Sequence, residues 1–170
     1  MKPSAYIPLL LLGAAAAYYF YPGKKLPEGT VIDRLVVYKA RRLMLAYSNG
    51  RLVKTYTIAL GFNPTGHKKY EGDGRTPEGT YIINARNANS SYHKNLGISY
   101  PNDTDRAFAK SIGKEPGGDI KIHGLRNGRG AIGKFHSWKD WTHGCIAVTD
   151  TEIDELFAAV KDGAVIEIFA

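Results

Sequence analysis

The chain has 170 residues, and the roughly 140 that follow its apolar N-terminal segment are the usual size of one domain with one core. Hydrophobic residues make up 44% and charged residues 23% of the chain, which excludes an intrinsically disordered protein. The formal net charge of +7 favours an anionic surface or polymer as a neighbour. The basic residues form no run of five or more and accompany no aromatic nucleic-acid-binding motif, so we expect no nucleic-acid partner.

An apolar segment opens the chain. Residues 5–21 carry no charge, and Ile7 to Ala17 consist almost wholly of Ile, Leu, Ala and Gly, which predicts a signal peptide or membrane anchor over residues 1–22. The stretch Ala15 to Ala17 suits a cleavage site, whereas the aromatic run Tyr18 to Tyr21 suits a membrane interface. We favour an uncleaved anchor over cleavage and over a buried core helix. The protein is then expected in the cell envelope, periplasmic or otherwise extracytoplasmic, at the inner (cytoplasmic) membrane.

After a linker over residues 23–30, strand patterns dominate. Val31 to Tyr38 and Arg42 to Tyr47 are rich in β-branched, leucine and tyrosine residues, and Asn49-Gly50 is the preferred pair of a type I′ turn before a returning strand, Leu52 to Leu60. Further strands are predicted at Gly79 to Asn84, Asp119 to Ile122, Ile146 to Val148 and Ala164 to Phe169. Residues 61–78 and 85–101 are rich in Gly, Asn, Pro, Ser and Tyr, which predicts long surface loops around a substrate cleft.

Two helices complete the predicted fold. The first runs from Asp103 to Ile112, with Asn102 or Asp103 as its cap. The second runs from Asp150 to Lys161, because Thr149 and Glu152 form a capping box and Gly163 sits where a C-cap is expected. Residues 31–170 are therefore predicted to form a single mainly β (α+β) domain with two peripheral helices.

Residues able to do chemistry cluster between Ile120 and Val148. His123 ends a short apolar strand and precedes Gly124, while His143, Gly144 and Cys145 precede a second apolar strand. A free thiol is only a few per cent thiolate at neutral pH, so a nucleophilic Cys145 needs an imidazole to take its proton. Gly144 has no Cβ, so its N–H and that of Cys145 could bind the oxyanion of an attacked carbonyl, where one donor contributes ~3 kcal/mol.

Cys145 is the single cysteine, which excludes an intramolecular disulfide and a CxxC zinc site. Two alternatives to a nucleophile remain. The two histidines and the cysteine could ligate zinc, and an isolated cysteine is more often a small apolar core residue. The position of Cys145 directly after His-Gly favours catalysis, and an exported chain needs a lone thiol to be either buried or used.

The pattern His123-Gly124, followed after seventeen residues (125–141) by Thr142-His143-Gly144-Cys145-Ile146, resembles the signature of the L,D-transpeptidase (YkuD-type) catalytic domain. Further similarity lies in the stretches Gly72 to Tyr81 and Leu96 to Asn102, and the resemblance covers about residues 30 to 170. Many family members carry an arginine or asparagine shortly after the cysteine, where this chain has Ala147-Val148-Thr149. That departure concerns the substrate more than the nucleophile.

The resemblance implies a β-sandwich-like domain and acyl transfer on peptidoglycan stem peptides. Cys145 would attack the carbonyl of the third residue, commonly diaminopimelate. Terminal D-alanine would be released, and a thioester to Cys145 would remain. An amine of a second stem peptide or of an envelope protein would then accept the acyl group. His123 would act as base and then acid, with its tautomer fixed by the Gly124 carbonyl, and His143 would line the site. No cofactor or metal is implied, and a monomer is expected.

Other functional assignments remain open. A stem-peptide hydrolase (an L,D-carboxypeptidase or an amidase) and a non-catalytic cell-wall-binding module are the alternative functions. Arg126 and Arg129 are candidates for binding stem-peptide carboxylates, and Thr142 and Trp141 for lining the substrate site. Packing beside the motif is the simpler explanation for the tryptophans, including Trp138. His136 is a candidate third active-site imidazole, while Tyr92, His93 and His67 lie in predicted cleft loops.

Overall fold

The structure, a computed structural model, describes residues 13, 16–21 and 23–170. Most of the predicted signal or anchor over residues 1–22 lies outside the described residues. Residues 16–20 are helical, and within the part of the chain that is described no helix has the length and apolar character needed to span a membrane. The anchor therefore stays a prediction.

The domain is built on one mixed sheet of eight strands. The strands are β1 (Ile32–Tyr38), β2 (Leu43–Ser48), β3 (Arg51–Thr57), β4 (Gly79–Ser90), β5 (His93–Ile98), β6 (Lys121–His123), β7 (Ile146–Ala147) and β8 (Val160–Phe169). Across the sheet they run β3-β2-β1-β8-β4-β5-β6-β7, with β1–β8 and β6–β7 as parallel pairs. The first half of β4 pairs with β8 and its second half with β5. The sandwich-like expectation is thus corrected: one continuous sheet forms a half-barrel.

The first hairpin has the predicted turn. Asn49 and Gly50 both have positive φ, 48° and 76°, as a type I′ turn requires, and the flanking residues Ser48 and Arg51 pair directly. Asparagine and glycine tolerate this left-handed conformation at low cost, which explains why the sequence signal was specific here.

The predicted loop over residues 85–101 is wrong for most of its length, because β4 and β5 form a second hairpin there. The pair Asn87 and Asn95 lies opposite across the two strands. Their polar side chains lie on the face that lines a cavity, whereas Leu96 and Ile98 on the other face are buried in the core. The Asn- and Ser-rich composition therefore reflects a polar sheet face and not a loop.

Both predicted helices are present, α1 (Asp103–Ser111) and α2 (Asp150–Ala159), each with a capping box. Asn102 caps α1, and Thr149 caps α2 with Glu152 as its partner. The predicted C-cap at Gly163 is wrong. Helix α2 ends at Ala159 because Val160 is already extended and pairs with β1, so Gly163 (φ 75°) lies within β8.

Two 3-10 helices were not predicted, Lys39–Arg41 and Gly130–Trp138. The second of these contacts the helical N-terminal segment. The Tyr19 hydroxyl donates to the Ala131 carbonyl (2.7 Å), and its ring stacks on Phe135 with centroids 5.3 Å apart. The described end of the N-terminal segment is therefore packed against the domain.

The apolar core lies under the sheet and includes α2. Ile153 and Leu156 of the helix, and Ile122 and Ile146 of β6 and β7, are fully buried in one cluster. At about 25 cal/mol per Å², fully burying each such side chain contributes roughly 1.5–3 kcal/mol. Close packing of their buried isoleucines against the core thus holds in place the two short strands that carry the candidate motif.

Candidate active site

Strands β6 and β7 bring the two halves of the motif together. They pair in parallel, with Ile122 opposite Ile146 and His123 opposite Ala147. Because side chains alternate between the two faces of a strand, burial of both isoleucines directs His123 and Cys145 to the opposite face. There both residues line a cavity of about 470 Å³. The thiol and the imidazole that the sequence singled out therefore line one cavity.

His123 is held as a neutral imidazole. Only 5% of its surface is exposed, and its Nδ1 lies 2.7 Å from the Gly124 carbonyl oxygen. A carbonyl can only accept, so Nδ1 carries the proton and Nε2 keeps its lone pair. Burial lowers the pKa of His123 and the charge of Lys121 adds to this, against the opposing hydrogen bond to Gly124.

Cys145 rests as a protonated thiol. It is half-buried, and its Sγ lies 3.5 Å from the Asp119 carbonyl oxygen. Burial raises the pKa of Cys145, while a hydrogen bond from the Lys121 backbone and the charge of Lys121 act in the opposite direction. The thiol of Cys145 and the imidazole of His123 are therefore both neutral at rest.

Aromatic rings enclose His123. The Tyr92 and Trp141 ring centroids lie 4.7 Å and 5.7 Å from that of the imidazole, and the two aromatic rings stack on each other at 6.1 Å. Trp141 therefore both packs beside the motif and lines the cavity. Tyr92 comes from the tip of the β4–β5 hairpin. Its contact with His123 depends on that hairpin, which the sequence pattern did not predict.

Thr142 holds the turn that carries the cysteine. Its hydroxyl donates to the Cys145 carbonyl (2.7 Å) and accepts from the Gly144 N–H (3.1 Å). Gly144 has φ 137°, and a Cβ there would lie 2.7 Å from the Arg75 carbonyl oxygen. The turn can thus be built only with glycine at this position, because both the backbone angle and the neighbouring chain exclude a side chain.

The stretch that includes Arg75 is organised by a buried carboxylate. The Asp73 Oδ1 atom lies 2.9 Å from the Lys68 Nζ atom and accepts from the Arg75 N–H at 3.0 Å. The Gly61 N–H donates to the Thr76 hydroxyl (3.0 Å), which ties the same stretch to the chain beyond β3. These contacts give the Gly-Asp-Gly-Arg-Thr motif a structural role. The motif fixes the backbone at Arg75, against which the turn that carries Cys145 packs.

The remaining histidines occupy different positions. His143 is exposed, lines the cavity with Cys145, and packs its ring edge-on against Phe62 (5.5 Å between centroids). His136 is 6% exposed and does not line that cavity, so it is not a third imidazole beside Cys145. In residues 13, 16–21 and 23–170 no three His, Cys, Asp or Glu side chains group closely enough to hold a metal ion.

Arg126 and Arg129 line a second cavity, of about 340 Å³, and not the one that contains Cys145. The two cavities share Tyr92 and Trp141 as a wall, and His136 lines the second. A turn closed by the Arg129 N–H donating to the Arg126 carbonyl (2.8 Å) carries both arginines. Among the described residues neither arginine forms an ion pair, so two uncompensated positive charges border this cavity. Trp138 is 75% exposed and lines neither cavity.

Sequence reasoning missed most of the polar wall of the Cys145 cavity. Besides the motif residues, the cavity is lined by Asn87, Asn89, Ser90, Ser91, Asn95, Asp119 and Lys121. The spacing of Asn87 and Asn89 is that of one strand face and was the available signal. Asn95 gives no signal of its own, because only the register of β5 against β6 places it beside His123.

Comparison with known proteins agrees with this architecture. The family profile described as "L,D-transpeptidase catalytic domain" (YkuD) matches residues 32–168. YkuD of Bacillus licheniformis, provisionally named an L,D-transpeptidase, is 31% identical over 147 residues, covering 86% of this chain and 71% of that protein. YafK of Escherichia coli (strain K12), also provisionally named so, is 32% identical over 117 residues, covering 68% of this chain and 40% of YafK.

Among solved structures, the helical cell shape determining protein Pgp2 from Campylobacter jejuni superimposes with a TM-score of 0.62 at 24% identity, covering 89% of this chain and 52% of Pgp2. The chain thus spans about half of that protein and 40% of YafK. The likeness to Pgp2 concerns the fold. With the profile matched over nearly all of the described domain, the chain belongs to the L,D-transpeptidase (YkuD-type) catalytic domain family.

Proposed function

We propose that the chain is an acyltransferase that acts on peptidoglycan stem peptides, with Cys145 as nucleophile and His123 as general base. The observation that carries the proposal is the hydrogen bond between His123 Nδ1 and the Gly124 carbonyl, 2.7 Å long. It leaves Nε2 as the basic atom of a buried, neutral imidazole in the cavity that contains the thiol. A backbone carbonyl here does what a carboxylate does in a Ser-His-Asp triad.

In the proposed first half-reaction, Nε2 of His123 takes the Sγ proton and the thiolate adds to the carbonyl carbon of the third stem residue. The proposed oxyanion donors are the N–H groups of Gly144 and Cys145, and that of Gly144 must exchange its bond to Thr142 for one to the oxyanion. The carbon–nitrogen bond to terminal D-alanine then breaks. The leaving amine receives the proton from His123, and a thioester to Cys145 remains.

In the second half-reaction an amine attacks the thioester, His123 takes its proton, and the thiol is regenerated. The arginine-bordered cavity beside the Tyr92–Trp141 wall supports an acceptor that carries a carboxylate, since Arg126 and Arg129 have no acidic partner among the described residues. A second stem peptide gives a 3-3 cross-link, and a lysine of an envelope protein gives an anchored protein. Such substrates place the chain outside the cytoplasm, with the N-terminal segment as the proposed anchor.

Mass spectrometry of a disaccharide-tetrapeptide incubated with the protein tests this function. Loss of D-alanine together with dimers, both absent in Cys145→Ala, is expected. Cysteine-dependent loss without dimers, with water as acceptor, would identify a stem-peptide hydrolase. The variant Trp138→Ala is the matched control, because this exposed side chain lines neither cavity and should leave both products unchanged. Unchanged substrate in every sample would leave a binding role and refute the proposal.

A further inference from the structure

A single peptide unit links His123 to a carboxylate on helix α2. The Gly124 carbonyl, whose oxygen lies 2.7 Å from Nδ1 of His123, and the Leu125 N–H belong to the same peptide unit. That N–H donates to Oδ1 of Asp150, also at 2.7 Å. The imidazole, the peptide unit and the carboxylate are therefore joined in this order by two short hydrogen bonds.

The backbone after β6 fits closely around the Asp150 carboxylate. A Cβ on Gly124 would lie 2.7 Å from Oδ1 of Asp150, and a Cβ on Gly130 would collide with Oδ2. Both glycines lie in the segment that follows β6, so this segment approaches the carboxylate more closely than a side chain at either position would allow. The close fit keeps Oδ1 at the Leu125 N–H.

Helix α2 holds Asp150 in this position. Asp150 is the first residue of the helix, directly after the capping residue Thr149. The Val148 N–H donates to the His123 carbonyl at 3.0 Å, which fixes the start of the helix against β6. An acidic residue in the first turn of a helix is common, because it interacts favourably with the helix dipole. The dipole explains the charge of Asp150 but not its hydrogen bond to Leu125.

A carboxylate at one end of a peptide unit changes the hydrogen bond at the other end. Hydrogen bonds in a chain polarise one another, and a bond to an ionised group is roughly twice as strong as one between neutral groups. The charge of Asp150 therefore makes the Gly124 carbonyl oxygen more negative. A more negative oxygen stabilises the imidazolium that forms when His123 takes a proton, as the carboxylate of a Ser-His-Asp triad does directly.

Other charged groups border the two ends of this hydrogen-bonded chain. Burial lowers the pKa of His123, and the charge of Lys121 adds to the effect. Burial also lowers the pKa of His136, on which the charges of His123 and Asp150 act in opposite directions. The charged residues that line a surface cavity with Asp150 are Lys25, Lys54, Lys134, Glu152 and Glu155. Glu152 and Glu155 are engaged in the helix cap and in an ion pair, so the bond to the peptide unit sets Asp150 apart from them.

We propose that Asp150 is a positioning residue that stabilises protonated His123 through the Gly124–Leu125 peptide unit. The inference rests on the proposed function, since it adds a third member to the pair of His123 and Cys145. Asp150 does not line the Cys145 cavity, so it neither contacts the substrate nor moves a proton. Its charge makes the imidazole a stronger base when the Sγ proton is transferred.

The test is Asp150→Asn, because the asparagine Oδ1 still accepts from the Leu125 N–H and only the charge is lost. Asp154→Asn is the matched control: it removes a carboxylate from the next turn of the same helix, where Asp154 pairs with His93. With the disaccharide-tetrapeptide, Asp150→Asn should lower kcat for D-alanine release roughly tenfold, with little change in KM. Asp154→Asn should keep the wild-type kcat.

Two NMR measurements are independent of turnover. The pKa of His123 should be lower by about one unit in Asp150→Asn than in the wild type, and the acid limb of kcat/KM should move to lower pH with it. The Leu125 amide proton should shift upfield, because its acceptor is no longer charged. Both quantities should stay unchanged in Asp154→Asn. The melting temperature of Asp150→Asn should fall by about 3 °C or less, the usual effect of losing one charge at a helix N-terminus.

Other outcomes overturn the proposal. A wild-type kcat and an unchanged His123 titration in Asp150→Asn would mean that Asp150 only fixes the loop. An equal change in the pKa of His123 in Asp154→Asn would assign the effect to the overall charge of α2. Failure of Asp150→Asn to fold would make the carboxylate structural. If the wild type releases no D-alanine, the proposed function fails by itself, and the His123 titration still decides whether Asp150 acts on the imidazole.

Discussion

The buried His136 makes the domain sensitive to mild acid, and His136→Phe should remove most of that sensitivity. Burial lowers the pKa of His136 from 6.5 to about 4, with the charge of His123 adding to the effect and that of Asp150 opposing it. Since the folded pKa lies below the unfolded one, the unfolded chain binds the proton more readily. The contribution of His136 to the free energy of unfolding is therefore fully present above the unfolded pKa. It is lost as the pH falls from about 6.5 towards 4.

The magnitude follows from the two pKa values. One pKa unit corresponds to about 1.36 kcal/mol, so a shift from 6.5 to about 4 amounts to roughly 3.4 kcal/mol in full. At pH 5 about 2 kcal/mol of this is already lost. Little else should change in His136→Phe, because the Nδ1 atom of His136 is buried without a hydrogen-bond partner among the described residues.

Urea denaturation at pH 7.5 and pH 5 measures the effect. The free energy of unfolding of the wild type should fall by about 2 kcal/mol more than that of His136→Phe over this interval. Ser137→Ala, at the next position of the same 3-10 helix, should follow the wild type. Parallel pH curves for wild type and His136→Phe would refute the assignment of the acid sensitivity to this histidine.

Three further predictions concern the reactive turn. Iodoacetamide labelling of Cys145 should accelerate with pH beyond the ordinary thiol pKa of 9.0, because burial raises the pKa of Cys145; a rate already constant at pH 7 would contradict this. Gly144→Ala should lower D-alanine release by at least roughly 100-fold, since its Cβ would lie 2.7 Å from the Arg75 carbonyl oxygen and move the nucleophile; unchanged release would refute it. By family resemblance, a carbapenem should add its mass to the wild type, and an adduct persisting in Cys145→Ala would remove Cys145 from its role.

Local signals with a strict stereochemical cause were predictable from the sequence. Asn49-Gly50 predicted a type I′ turn because few other residues accept two positive φ angles, and Thr149 with Glu152 predicted the start of α2 because the capping box satisfies two backbone donors. The end of α2 was not predictable in the same way. Pairing of Val160 with β1 overrides the C-cap signal of Gly163, and that pairing joins distant parts of the chain.

The candidate site divides along the same line. The combination of His123 and Cys145 was predictable, because each follows or precedes a short apolar strand and such strands pair in a core. The positions of Arg126 and Arg129 were not predictable from the sequence. The segment after Gly124 turns away from the thiol, and Trp141 forms a wall between the two arginines and Cys145. Proximity to the motif in sequence thus agrees with the shared cavity of His123 and Cys145 and did not show that the arginines border a different cavity.

The lone cysteine, Cys145, is half-buried and still lines the cavity. Oxidation of a thiol follows its thiolate character and its exposure, and the half-buried Cys145 has a raised pKa that keeps it protonated at rest. The lowered pKa of His123 equally keeps the imidazole neutral and able to accept a proton. In the proposed mechanism charge arises when the imidazole takes the thiol proton. For the proposed envelope enzyme this neutral resting state would protect the thiol, because a permanently ionised thiolate would be exposed to oxidants.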